Sequence, residues 1–227
     1  MQLTQTRQRV LENSPIRDEL QRYLACIEQT PAAHTVRGMY VGGLVQAIAA
    51  RNFVPINAEP IHPFKEYSLR EYMEMLLDSA ISLYPSDTVH DGLRKLGNLA
   101  IPTFAKSLAG SVLMAMVGRR WDLALTCVSR GYEVSLNPGK CIVAENANGR
   151  ALLQLRNVWN FGDSYQVGVI EGLMQWCKLE GTVTAVLLAP CDVDLRIEWK
   201  TAHDAVRNRF RVKRPPASDA HTARNIR

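Results

Sequence analysis

The chain has 227 residues, 47% hydrophobic and 7% aromatic, with 27 Lys and Arg against 22 Asp and Glu, a balance that excludes disordered and collagen-like classes. No run approaches the roughly 18 apolar residues of a membrane span, because the longest candidate, Ile101 to Val117, is interrupted by Lys106, Ser107 and Ser111. The net charge of +5 sits at one end: Lys200 to Arg227 holds eight basic residues against Asp204 and Asp219, which makes that segment +6 and leaves residues 1–199 at −1.

Residues 1–13 are polar and read as a flexible N-terminus; Arg7 and Arg9 precede no apolar stretch, so a cytoplasmic protein without a secretory signal is expected. Ser14-Pro15 opens a helix with Ile16, Leu20, Tyr23, Leu24 and Ile27 on one face, ending near Gln29 before Thr30-Pro31. Val36, Met39, Tyr40, Leu44, Ala47 and Ile48 form the apolar face of a second helix, in which Gly38, Gly42 and Gly43 are expected to allow close packing. Asn52 to Pro63 reads as a loop. Ser68-Leu69-Arg70-Glu71 is a capping box, in which hydroxyl and carboxylate satisfy free amides reciprocally, and a helix with Tyr72, Met73, Leu76, Leu77, Ala80 and Ile81 follows.

After the turn at Tyr84-Pro85-Ser86-Asp87, Val89, Leu93 and Leu96 mark another helix, and the pattern resumes after Pro102 through Phe104, Leu108, Val112, Leu113 and Met116 to a Gly118 C-cap. Trp121, Leu125 and Val128 predict a short helix ending near Gly131. The period then changes. Lys140 to Glu145 and Ala151 to Val158 flank Asn148-Gly149, a hairpin signal. Asp163 is placed as the cap of a helix through Val167, Ile170, Leu173 and Met174 up to Gly181, and Thr182 to Leu188 with Asp192 to Trp199 predict a second hairpin. Helices followed by β-β-α-β-β argue an α+β fold, with N-terminal helices packed on a four-stranded antiparallel sheet in one domain over 14–201. Residues 202–227 read as a disordered basic tail.

Several constellations were weighed against plainer roles. The cysteines, Cys26, Cys127, Cys141, Cys177 and Cys191, are odd in number, form no C-x-x-C pair and lie in apolar company, so buried free thiols and no metal site are expected. No Gly-x-Ser-x-Gly elbow or Gly-Lys-Ser/Thr phosphate loop occurs, and no acid–base dyad stands at usable spacing, which argues against an enzyme. Arg119, Arg120 and Asp122 read as a solvated helix start, and Asp192 and Asp194 as a solvated strand face. Arg207, Arg209, Arg211, Lys213 and Arg214 form a basic stretch suited to anions, nucleic acid or an anionic membrane, with a solvated tail as the plainer reading.

Val36-Arg37-Gly38-Met39-Tyr40, Tyr67-Ser68-Leu69-Arg70-Glu71-Tyr72, Gly168-Val169-Ile170-Glu171-Gly172 and Ile197-Glu198-Trp199 together resemble a myxobacterial paralogous family of uncharacterised proteins, over roughly residues 34–199. More distantly, the element order is similar to haem–nitric-oxide-binding domains and vinyl-reductase-like ligand-binding domains. That likeness implies a small molecule held between helices and sheet. It also implies a haem-ligating His on the helix before the first hairpin and a Tyr-x-Ser-x-Arg strand, yet no His lies between His90 and His203, and the strand reads Leu155-Arg156-Asn157-Val158-Trp159-Asn160. Cys127 falls on the helix in question, but its apolar neighbours give it a core role. No haem or other cofactor is therefore expected, and the fold is taken to outlast the haem site. The expectation is a non-catalytic ligand-binding or sensory module, with Arg37, Tyr40, Trp121, Cys127, Trp159 and Tyr165 as ligand-lining candidates. The competing class is an interaction or accessory factor that engages a protein partner through its surface and basic tail, and a homodimer is compatible with either class.

Overall fold

The computed structural model describes residues 14–51 and 60–200. The N-terminal segment 1–13, most of the predicted 52–63 loop, and the tail with its Arg207, Arg209, Arg211, Lys213 and Arg214 lie outside the described residues. In chain order the elements are α1 (Ser14–Gln29), β1 (Thr35–Arg37), α2 (Gly38–Ala49), β2 (Glu66–Ser68), α3 (Leu69–Leu83), α4 (Val89–Asn98), α5 (Ala100–Phe104), α6 (Leu108–Val117), α7 (Trp121–Ser135), β3 (Leu136–Asn137), β4 (Lys140–Ala147), β5 (Arg150–Arg156), α8 (Tyr165–Trp176), β6 (Gly181–Ala189) and β7 (Asp192–Trp199).

The four-stranded antiparallel sheet runs β4-β5-β7-β6. Its first hairpin turns at Asn148 and Gly149, whose φ angles of 55° and 78° are those a two-residue turn of this hand needs. Alternation then decides the faces. Ala151, Leu153 and Leu155 of β5 and Val193, Leu195 and Ile197 of β7 are buried on one side, where α7 packs on β4 and α8 on β6. The other side carries polar groups such as Arg156, which meets Asp194 at 2.7 Å.

Three short strands were not expected. β1 pairs antiparallel with β2 and with β3, so that Val36 sits opposite Tyr67 and Leu136. Val36 is therefore a strand residue, and the second helix begins at Gly38. Gly38 is the place where close packing was correctly expected, since a Cβ there would stand 2.2 Å from the His62 carbonyl oxygen.

Two further helix limits differ from the sequence pattern. The pattern through Phe104 and Leu108 is two helices, because Ser107 caps a new one by accepting from the Gly110 amide at 3.0 Å. α7 runs past Gly131 to Ser135, since Tyr132 keeps the apolar face buried and continues the helix. The α8 start also differs: Asp163 makes no cap and instead lies 3.6 Å from Arg22, while Ser164 occupies the cap position without a side-chain bond. Of the capping box at Ser68 the hydroxyl half forms, with the Glu71 amide donating to Ser68 Oγ at 3.4 Å.

α4 starts on a carboxylate from another helix. Glu19 of α1 accepts from the Val89 amide at 2.9 Å and from the His90 amide at 2.8 Å, while Thr88 Oγ1 accepts from Asp91 at 3.0 Å. Three of the amides that a helix start leaves unpaired are thus satisfied, two of them by a negative charge at the positive end of the helix. Glu19→Ala should cost about 2 kcal/mol, read as a lower urea midpoint. Glu19→Gln, which can still accept one of the two bonds, should cost about half of that.

Candidate functional site

The helices do not close on one another. Between α2, α4 to α8 and the 61–64 segment lies a cavity of about 890 Å³, within the size range of small-molecule sites. It reaches the surface where Phe64 and Val134 are exposed. Its wall is largely aliphatic, with Leu96 and Leu99 from α4 and its end, Leu113, Met114 and Val117 from α6, and Val169 and Leu173 from α8.

α7 contributes one face to the cavity and the other to the sheet. Ala124, Cys127, Val128, Gly131 and Tyr132 line the cavity, while Ser129 Oγ donates to the Cys141 carbonyl at 2.6 Å and ties the helix to β4. On α2, Gly42 and Gly43 also line it. This corrects the expectation that both serve close helix packing. A Cβ at Gly43 would meet nothing within 4 Å, and one at Gly42 only the Ile61 side chain at 3.7 Å. The two glycines leave space that no neighbouring helix fills.

The polar groups of the cavity gather in one cluster. The hydroxyls of Tyr72 and Tyr165 lie 3.1 Å apart, Tyr132 donates to Gln166 Oε1, and Gln166 Nε2 donates to the Asn160 carbonyl at 3.3 Å. The Tyr40 hydroxyl lies beside Ser135 and close to Gly131. Burial pushes the Tyr72 and Tyr132 phenols well above their ordinary range and raises Tyr165 to about 12. All three are neutral donors throughout the physiological range.

Of the residues proposed from sequence, the structure brings Tyr40, Cys127 and Tyr165 together around this cavity and leaves Arg37, Trp121 and Trp159 outside its lining. Arg37 is a surface residue that donates to the Phe64 carbonyl at 2.9 Å and pairs with Glu66 at 3.3 Å. Trp121 packs edge-on against Trp199 with ring centroids 5.4 Å apart. Trp159 packs against His34 and donates from its indole to Asn157 Oδ1 at 3.0 Å. The residues not singled out in advance are Tyr72, Tyr132, Gln166, Gly42 and Gly43. For the two tyrosines the usable signal was a phenol placed on the buried face of two separate helices, where a core would ordinarily take Leu or Phe.

A second hollow, about 490 Å³ and open, lies between α4 and α8. Its charged groups are already engaged: Lys95 meets Asp87 at 2.5 Å, and Arg94 Nε donates to Glu171 Oε2 at 3.0 Å. Among the described residues no group of three or more His, Cys, Asp or Glu is placed to hold a metal, and no helix is long and apolar enough to cross a membrane.

Comparison with known proteins bears on the frame around the cavity. A family model described as protein of unknown function, DUF2378, matches residues 29–200. No curated protein matches the chain. Among solved structures, an oxygen-binding H-NOX domain related to soluble guanylate cyclases, in its oxygen complex, superposes with a TM-score of 0.52 at 16% identity, covering 73% of this chain and 95% of that one. A mutant of an Fe(II) unliganded H-NOX protein from K. algicida gives 0.50 at 11% identity, covering 73% and 97%. The helix-then-hairpin frame is thus H-NOX-like.

That likeness raises haem, and the residues lining the cavity do not fit it. Among the described residues that line the cavity none is a histidine, and the one cation, Arg130, has a side chain 78% exposed and 3.1 Å from Glu133. Iron would lack an imidazole ligand, and two propionates would lack the cations that offset burial of their charge.

Proposed function

The chain belongs to the DUF2378 family of proteins of unknown function, and we propose that it is a non-catalytic small-molecule-binding or sensory module whose ligand occupies the cavity between α2, α7 and α8. The cavity itself carries this reading: a chain acting only through its surface gains nothing from an internal hollow of about 890 Å³, which forfeits packing energy. The H-NOX-like frame supports it, because one solved structure of that frame is named for binding oxygen. The lining supports a mainly apolar ligand and no haem.

Gly43→Leu tests the proposal without removing any contact. The new side chain enters open space from within α2 and replaces the helix residue with the greatest backbone freedom, so the empty protein should gain about 1 kcal/mol of stability. Native mass spectrometry of the protein purified from its own cells should show a retained small molecule in the wild type and none in Gly43→Leu. A variant of unchanged stability that retains the same mass would remove the cavity as the ligand site.

A further inference from the structure

Among the described residues, the hydrogen bonds of the cavity leave a phenolic proton without an acceptor, as they leave Asn160 Oδ1 without a donor. Tyr132 spends its proton on Gln166, and Gln166 spends an amide hydrogen on the Asn160 carbonyl. Ser135 donates to the Gly131 carbonyl and Thr126 to the Asp122 carbonyl at 3.0 Å. The Tyr72 and Tyr165 hydroxyls hold two protons between them and share a single bond at 3.1 Å. Whichever of the two donates, the other retains an O–H that no oxygen of the described residues accepts. Both residues are buried, at 3% and 6% exposure, and both line the cavity. A buried donor without a partner is costly, so this proton favours an occupant that accepts it.

The same lining sets the occupant's charge. Among the described residues no acidic side chain lines the cavity, and the one cation that does lies at the exposed end paired with Glu133. A carboxylate, phosphate or ammonium brought inside would find no counter-charge, which is the most costly form of burial. The phenols cannot supply one, since burial keeps them protonated.

We propose that the cavity binds an uncharged, mainly aliphatic molecule bearing one carbonyl oxygen, a ketone, aldehyde or ester, which accepts the spare phenolic proton of the Tyr72–Tyr165 pair. This rests on the cavity being the ligand site. It adds the chemical class of the ligand and the atoms that recognise its polar end.

The test uses the full chain and three probes of equal length: octane, the eight-carbon methyl ketone and the eight-carbon carboxylate. Each is titrated by displacement of Nile red. The ketone should bind about tenfold more tightly than octane, as one good hydrogen bond allows, and the carboxylate more weakly than either. Tyr72→Phe and Tyr165→Phe each leave one phenol with its proton free, so each single variant should keep most of the ketone preference. The double variant has no phenolic proton to give at this pair, and its ketone affinity should fall to that of octane while octane itself is unaffected. A ketone preference that survives in the double variant, or a carboxylate that binds as tightly as the ketone, would overturn the assignment. Nile red and octane binding with no ketone preference would remove this proposal and leave the cavity reading intact. Failure of dye and all probes to bind would remove both.

Discussion

Gly168→Ala is expected to lose about 3 kcal/mol or more, a drop in Tm of about 10 °C for a chain of this size. A Cβ at this position would stand 1.9 Å from the Arg94 carbonyl oxygen and 2.9 Å from the Asn98 amide nitrogen. Both are backbone atoms of α4, so no side chain can turn aside. The contact is reciprocal: a Cβ at Gly97 would stand 2.0 Å from the Tyr165 carbonyl oxygen, and one at Gly172 would stand 2.6 Å from that of Asn98. α4 and α8 touch backbone to backbone along this line, and any side chain there pries them apart. Gly131→Ala provides the contrast, because its Cβ would meet only the Tyr40 hydroxyl at 3.5 Å in ordinary contact. That variant should be neutral or gain up to about 1 kcal/mol from helix propensity. Differential scanning calorimetry on the pair checks both; equal Tm values would contradict the close approach.

Leu195→Ala should cost about 3 kcal/mol, lowering the urea midpoint with little change in slope. Leu195 is fully buried on β7, the strand flanked on both sides, and its register partners are Leu153 on β5 and Ala185 on β6. A methyl group in its place leaves a void in the tightest part of the core, where helices and sheet prevent collapse. Leu113→Ala should cost less than half as much, since that half-buried side chain borders a space already open. Similar costs at the two sites would mean that the cavity wall is packed as densely as the sheet.

Much of the fold was readable wherever a local signal was strong. Asn148-Gly149 fixed one hairpin through backbone conformations that few other residues adopt, and Ser68 with Glu71 fixed the start of α3. The β1-β2-β3 sheet was not readable, because strands of two or three residues are too short to show a period of two. Its partners come from distant parts of the chain, which no local pattern reports. Gly131 misled for a different reason: glycine often ends helices, but here α7 continues through it to Ser135. Gly42 and Gly43 show the limit most plainly, since a missing side chain reads the same whether a backbone or a ligand takes the space. Tyr40 was placed by its apolar helix face, Cys127 by its position on the helix before the first hairpin, and Tyr165 by aromatic character. Trp121 and Trp159 were drawn in by aromatic character alone, which the core uses for ring-on-ring packing.

The small sheet also bears on how the molecule is made and kept. Each hairpin of the larger sheet joins neighbours in sequence, whereas Thr35 pairs with Asn137 across roughly a hundred residues. Loop-closure entropy makes such a pairing late in folding, and it is this pairing that brings the start of α2 to the end of α7 and completes the wall between them. A molecule that fits the finished hollow binds only chains that have made the closure, and mass action then raises their share in proportion to its concentration. Unclosed chains are the ones open to proteolysis, so under the proposed ligand-binding reading the lifetime of this protein should lengthen with the amount of ligand present when it folds.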